Sequence, residues 1–233
     1  MSARFRVVMV GAGTNVGKTH VACALASELV RRGVPLVARK PVESGYVEPS
    51  SDAAALARAA GHPLLRPHHA LDEAVSPHRA ARRAGLTLEL APLLTWCGNE
   101  PFSLVETAGG LLSPLAPSLT NLELTVGLAP SAVVLVVANR LGALHDVRAC
   151  QLALAAHGLS PHVVLSAATI PDEASTHNAE ELLALGWAPS VTVFPRAPLD
   201  DESTREAAGR LIDVLAVATT PLGGDLTSAL AGR

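Results

Sequence analysis

A Val-rich run, Phe5–Val10, passes into Gly11-Ala12-Gly13-Thr14-Asn15-Val16-Gly17-Lys18-Thr19, and Lys18–Arg32 then continues at helical length. A glycine-rich turn between a buried strand and a helix gathers backbone N–H groups at the positive end of the helix dipole, which makes an anion cradle. It also commits the chain to strand–helix alternation, and the remaining sequence keeps to it. Pro35–Val42, Phe102–Glu106, Val133–Ala138, His162–Ser166 and Ser190–Phe194 read as strands. Leu88–Trp96, His145–His157, Ser175–Leu185 and Ser203–Val217 read as helices. Nearly unbroken apolar strands separated by helices predict an α/β fold, a mainly parallel sheet with helices on both faces. Such sheets bind ligands at the carboxyl ends of their strands.

The 233 residues suit one large domain over 1–233, in which 218–233, with Pro221-Leu222-Gly223-Gly224, read as a loosely attached tail. A net charge of −3 offers no electrostatic footprint for nucleic acid. The longest apolar run, Ala132–Ala138, is far short of the roughly 20 residues of a membrane span. Phe5–Val10 reads as a first strand and not a signal peptide. Cys23, Cys97 and Cys150 lack metal or disulfide spacing and read as core residues of a reduced, cytoplasmic protein. His68-His69, beside Pro67, reads as an exposed turn.

Lysine usage sharpens the reading. The chain has only two lysines, Lys18 and Lys40, among eighteen basic residues. Both lie in glycine-flanked, strand-adjacent segments, the second being Lys40-Pro41-Val42-Glu43-Ser44-Gly45. A slim ammonium fits along a phosphate chain where a planar guanidinium would not. Lys18 therefore reads as the bridge to the β- and γ-phosphates of a nucleoside triphosphate, and Thr19 as a hydroxyl ligand of Mg²⁺. The strict P-loop spacing would place glycine at Ala12; here Gly11 lies one residue earlier. Mg²⁺ also needs carboxylates. Glu106 ends a buried strand ahead of Thr107-Ala108-Gly109-Gly110 and points to the ligand crevice, whereas Asp52, in Ser51-Asp52-Ala53, also suits a helix start.

Taken in order, these segments resemble those of the dethiobiotin synthetase family, P-loop enzymes that close a ureido ring in biotin synthesis. Gly11–Thr19 is similar to the family's G-T-x-T-x-V-G-K-T, and Lys40–Gly45 to its K-P-V-x-S/T-G. Ser51-Asp52-Ala53, Ser76-Pro77-His78, Val105–Gly110, Pro114-Leu115 and Leu141-Gly142 match further motifs in sequence order. The resemblance implies a homodimer that carboxylates and cyclises 7,8-diaminopelargonate with CO₂ and ATP. Lys18 and Lys40 would stabilise charge during phosphoryl transfer, Thr19, Asp52 and Glu106 would hold Mg²⁺, and Ser44 would bind the diamine. Asn15, Val16, Gly17, His20, Thr107, Ala108 and Gly109 would surround the phosphates. Pro195, Arg196, Ala197 and Glu202 would close over base and ribose.

The chain departs from the family at several places. Gly13 and Asn15 stand where many members are acidic, and Thr107 replaces a glycine. Asn139–Asp146 lacks the family's Lys and Asn-His pair, in a segment that helps hold the substrate carboxylate across the dimer. Ser166-Ala167 replaces an Asn-Asp pair that reads adenine, which leaves nucleotides other than ATP open as co-substrates. Two other readings stand beside this one. One is a different P-loop amidoligase or ATPase, although the lack of a lysine just before Gly13 argues against the partitioning ATPases. The other is a nucleotide-binding relative without catalysis.

Overall fold

A computed structural model describes residues 4–219; most of the predicted tail, 220–233, lies outside the described residues. β1 (Phe5–Gly11) leads into α1 (Lys18–Arg31), then β2 (Val37–Arg39), β3 (Val42–Ser44), α2 (Asp52–Ala59) and β4 (His69–Leu71). Two short helices follow, α3 (Pro77–Arg83) and α4 (Leu90–Trp96), before β5 (Phe102–Glu106), β6 (Pro114–Ala116), β7 (Leu119–Thr120) and α5 (Asn121–Gly127). The chain continues through β8 (Ala132–Asn139), α6 (Ala143–Ala155), β9 (Pro161–Ala167), α7 (Glu173–Ala184), β10 (Val191–Phe194) and α8 (Glu202–Thr219).

Six strands form one parallel sheet in the order β10-β9-β8-β1-β5-β2. Successive residues of a strand face opposite sides, and here both sides are dry. Val7, Met9, Leu104, Val134 and Val136 join the core under α1, α2 and α8. Val8, Val10, Val105, Val133, Leu135 and Val137 join the core under α3 to α7. This double burial is why the strands lack polar alternation and why α/β was legible.

One predicted strand is corrected. Pro35–Val42 divides at Lys40-Pro41: β2 stays in the main sheet, while β3 leaves it and pairs in parallel with β4. Pro41 has no N–H to extend the ladder, and its carbonyl instead accepts from His69 N–H at 3.1 Å. His69 therefore begins a strand, so the expected exposed turn at His68-His69 holds at His68 alone, with His69 taken into β4. The division frees Lys40 at the carboxyl end of β2 to turn its side chain inward.

The three cysteines are free and buried. Burial pushes the Cys23 thiol up to about 12, and those of Cys97 and Cys150 to about 11, so they stay protonated as packing residues. Among the described residues, no helix is long and apolar enough to cross a membrane.

Candidate active site at the carboxyl ends of the strands

The ends of β1, β2, β3 and β5 and the start of α1 enclose a cavity of about 500 Å³. Asn15, Gly17, Lys18, Thr19, His20, Lys40, Ser44, Asp52, Glu106, Ala108, Gly109 and Arg196, all singled out from the sequence, line it together with Thr14 and Glu43. β1 and β5 are adjacent in register, with Met9 opposite Glu106, so the loop after β1 and the carboxylate ending β5 must meet.

The loop is shaped by close packing. A Cβ on Gly11 would lie 2.9 Å from Lys18 Cδ, so its absence lets the lysine fold back along the loop. Lys18 Nζ reaches the Gly13 carbonyl at 3.0 Å. Gly17 has φ 94°, in the left-handed region, and caps α1. A Cβ there would stand 2.4 Å from Ser166 Oγ. Gly17→Ala is therefore expected to cost about 1–2 kcal/mol from the backbone conformation alone, with the Ser166 contact added. Denaturant unfolding of Gly17→Ala and of Gly17→Ala/Ser166→Gly checks this: the double variant should recover only the contact part.

Behind the loop, Leu111 N–H donates to Gly11 O at 2.7 Å and Thr107 N–H to Met9 O at 3.0 Å. The Thr107 hydroxyl also turns to Met9 O, at 3.2 Å. The side chain that replaces the family's glycine is thus spent inside the protein, while Glu106 before it and Ala108 and Gly109 after it reach the cavity. Asn121 Nδ2 donates to Ala108 O and Gly110 O at 2.6 and 2.8 Å, fixing this loop from the first residue of α5. Its sequence signal is the capping box Thr120-x-x-Glu123, which marks a helix start.

At the centre, Lys40 Nζ lies 2.5 Å from Asp52 Oδ2 and 2.6 Å from Glu106 Oε1. Thr19 Oγ1 donates to the same Glu106 oxygen at 2.7 Å. Burial works against the charge on Lys40, but the Glu106 and Asp52 carboxylates outweigh it and hold the ammonium above its ordinary range. Lys18 lacks such close partners. Burial lowers it to about 8, with Glu106 opposing and Lys40 adding to the fall. An anion beside Lys18 would favour its charged form.

The donor set fits Mg²⁺. Glu106 is fully buried, and its Oε2 has no hydrogen-bond partner. A buried carboxylate oxygen left unpaired is costly unless something absent from the chain meets it. Two carboxylates and a hydroxyl suit an ion that keeps water and phosphate oxygens for its other positions. Among the described residues no group of three or more His, Cys, Asp or Glu could form a cage of protein ligands alone.

Other sequence candidates fall elsewhere. Val16 packs its side chain into the core. Pro195 offers its carbonyl to His20 Nε2 at 3.2 Å, and His20 also stacks edge-on against Phe194 at 5.8 Å. Burial lowers the His20 pKa, and the Pro195 bond assigns the Nε2–H tautomer. The Ala197 carbonyl accepts from Thr204 Oγ1 at 3.3 Å. Glu202 starts α8 and borders a separate cavity with Arg31, Arg32 and Arg205. In the Asn139–Asp146 segment, Arg140 is engaged internally with Leu141 O at 2.7 Å and Asp146 at 3.1 Å.

The sequence reading passed over Glu43. It is buried, and its two oxygens accept from Asp52 N–H at 2.8 Å and Ala53 N–H at 3.1 Å. Ser51 caps the same helix through Ala54 N–H at 3.1 Å. Ser51-Asp52 is thus both a helix start and part of the site.

Comparison with known proteins bears on the fold and the family. In solved structures, a chain of the MinC:MinD cell division protein complex from Aquifex aeolicus aligns over 98% of this chain and 96% of its own, at TM-score 0.53 and 15% identity. The signal recognition particle receptor FtsY from Elizabethkingia anophelis aligns over 89% of this chain at TM-score 0.53 and 14% identity, and the chain spans 65% of that receptor's length. These likenesses show the fold alone. An ATP-dependent dethiobiotin synthetase BioD from Caulobacter vibrioides is 34% identical over 88% of this chain and 96% of its own. The protein of that name from Mycobacterium tuberculosis is 36% identical over 66% of this chain and 70% of its own. Residues 6–204 match the family described as AAA domain. On the family match over residues 6–204 and this extent of similarity, the chain belongs to the family described as AAA domain and to that of these ATP-dependent dethiobiotin synthetases.

Proposed function

We propose that the protein is a cytoplasmic, Mg²⁺-dependent ligase that makes dethiobiotin from 7,8-diaminopelargonate, CO₂ and a nucleoside triphosphate. The observation that carries this is Lys40 Nζ, buried between Asp52 and Glu106 beside the phosphate loop. Phosphate binding alone requires Lys18; a second ammonium from another strand suits a reaction that gathers negative charge beyond the γ-phosphate.

In this reading one substrate amine adds to CO₂ to give a carbamate, losing a proton. A carbamate oxygen attacks the γ-phosphorus as the bond to the nucleoside diphosphate breaks. The second amine attacks the carbamate carbon, phosphate leaves, a second proton is lost and the cyclic urea closes. Lys18 and Lys40 face the charge carried by phosphoryl and carbamate oxygens, and Ser44 orients the amine end. Thr19, Asp52 and Glu106 would hold Mg²⁺, which would supply positive charge to offset that of the phosphates. A homodimer belongs to the proposal: Leu112, Leu141 and Ile170 are exposed just beyond β5, β8 and β9, at the sheet end that carries the site.

The test combines purified protein, the diamine, bicarbonate, Mg²⁺ and nucleotide, with phosphate and dethiobiotin measured together. Stoichiometric formation of both supports the proposal; nucleotide binding without either product would favour the non-catalytic reading. In the same assay, ATP is expected to be preferred over CTP or GTP by less than about 100-fold. A site that hydrogen-bonds a base rejects others strongly, and Ser166 is buried against Gly17 instead of reaching a base. Strict ATP dependence would give base reading to the Pro195–Ala197 segment.

A further inference from the structure

Glu43 is bonded to the start of α2, where Asp52 stands. Asp52 is the first residue of α2, and its side chain is 45% exposed, so packing does little to fix it. The helix start, however, is tied down by the protein itself. Asp52 and Ala53 N–H groups go to the two oxygens of Glu43, and Ala54 N–H goes to Ser51 Oγ. Glu43 projects from β3, which leaves the main sheet at Pro41 and pairs with β4. A carboxylate taking two backbone N–H groups at a helix N-terminus is held by charge-assisted hydrogen bonds and by the dipole. Glu43 is also buried at 5% exposure, so it has little freedom to yield.

We infer that Glu43 is a positioning residue: it fixes the α2 N-terminus so that the Asp52 carboxylate stands beside Lys40 and the Glu106 site. The inference rests on the reading above that Asp52 helps to hold Mg²⁺. Glu43→Gln keeps the shape but replaces one acceptor oxygen with an NH₂ group that cannot accept a backbone N–H. The helix start then loses one of its anchors, and Asp52 moves with it.

Three proteins, wild type, Glu43→Gln and Asp52→Asn, separate the possibilities. Nucleotide affinity is titrated against Mg²⁺, without the diamine. Glu43→Gln is expected to raise the Mg²⁺ midpoint about tenfold, the scale of losing a partner that orients a ligand. Nucleotide affinity without Mg²⁺ should stay within about threefold, because the phosphate loop keeps its contacts. In the metal-free protein, amide exchange at Asp52 and Ala53 should quicken. In an Asp52→Asn background, Glu43→Gln should add almost nothing to the midpoint, since both act through one ligand. An unchanged Mg²⁺ midpoint in Glu43→Gln, when Asp52→Asn shifts it, would overturn the positioning role alone. No shift in Asp52→Asn would instead remove the metal reading. A change only in diamine KM would make Glu43 a substrate contact and also overturn the inference. If Glu43→Gln is too unstable to purify, Ser51→Ala removes an acceptor from the same helix end. It should shift the midpoint in the same direction, and no shift would overturn the role.

Discussion

Lys40→Arg is expected to bind nucleotide within about threefold of wild type and to release phosphate at least about 100-fold more slowly, the scale of one lost electrostatic donor. Lys40 is 5% exposed, and its Nζ sits within 2.6 Å of two carboxylates. Arginine would keep the charge but bring a planar, wider head with its donors in a fixed fork. The space between Asp52 and Glu106 is shaped to a point charge, so a guanidinium must displace one carboxylate or withdraw from the cavity. Lys18 and the loop backbone are untouched, which is why binding should survive. Had Lys40 paired with Glu43 as a simple strand-end charge, the swap would be nearly silent, but Glu43 is engaged by the N–H groups of α2. Nucleotide affinity and phosphate release on one preparation decide the matter, and near-wild-type turnover would remove the role of Lys40 in the proposed ring closure.

Glu106→Gln is expected to lower Mg²⁺-dependent phosphate release by more than about tenfold and to raise the Mg²⁺ requirement with it. Glutamine has nearly the same shape, so the ladder of β5 against β1 persists. The change instead removes a charge from a fully buried group that accepts from Thr19 and Lys40 through Oε1 and whose Oε2 has no hydrogen-bond partner. Lys40 would retain Asp52 as its counter-charge, which limits the cost of leaving a buried ammonium half-paired. Thermal unfolding should therefore show a folded variant, and turnover against Mg²⁺ concentration should show the loss. Equal turnover at limiting Mg²⁺ would take Glu106 out of the metal site.

The strands of the main sheet were legible because their residues are apolar on both faces, a pattern that only a sheet covered twice imposes. The helices α1, α6, α7 and α8 were legible from their length and flanks. The short helices α3 and α5 were not read as helices, and of α2 only a candidate start at Ser51-Asp52 was read, since seven or eight residues carry little periodicity. The split of β2 from β3 was written in Pro41, but the destination of β3 was not. Pairing with His69–Leu71 depends on a strand about 30 residues away whose own propensity is weak.

Much the same division holds for the candidate site. Gly11, Gly17, Lys18, Thr19, Lys40 and Glu106 could be chosen from the chain alone, because each sits at a strand end or helix start. There backbone geometry restricts the residue type and orients the side chain. The meeting of Lys40 with both Asp52 and Glu106, the turning of Thr107 into the sheet and the burial of Ser166 against Gly17 were decided only in three dimensions. So was the grip of Glu43 on α2. These contacts join segments that neither periodicity nor capping relates, and sheet order and loop packing bring them within hydrogen-bond distance. Local sequence determines what a segment forms because backbone preferences and burial act over a few residues. Which carboxylate meets which lysine is set by the sum of long-range packing, which no single segment encodes.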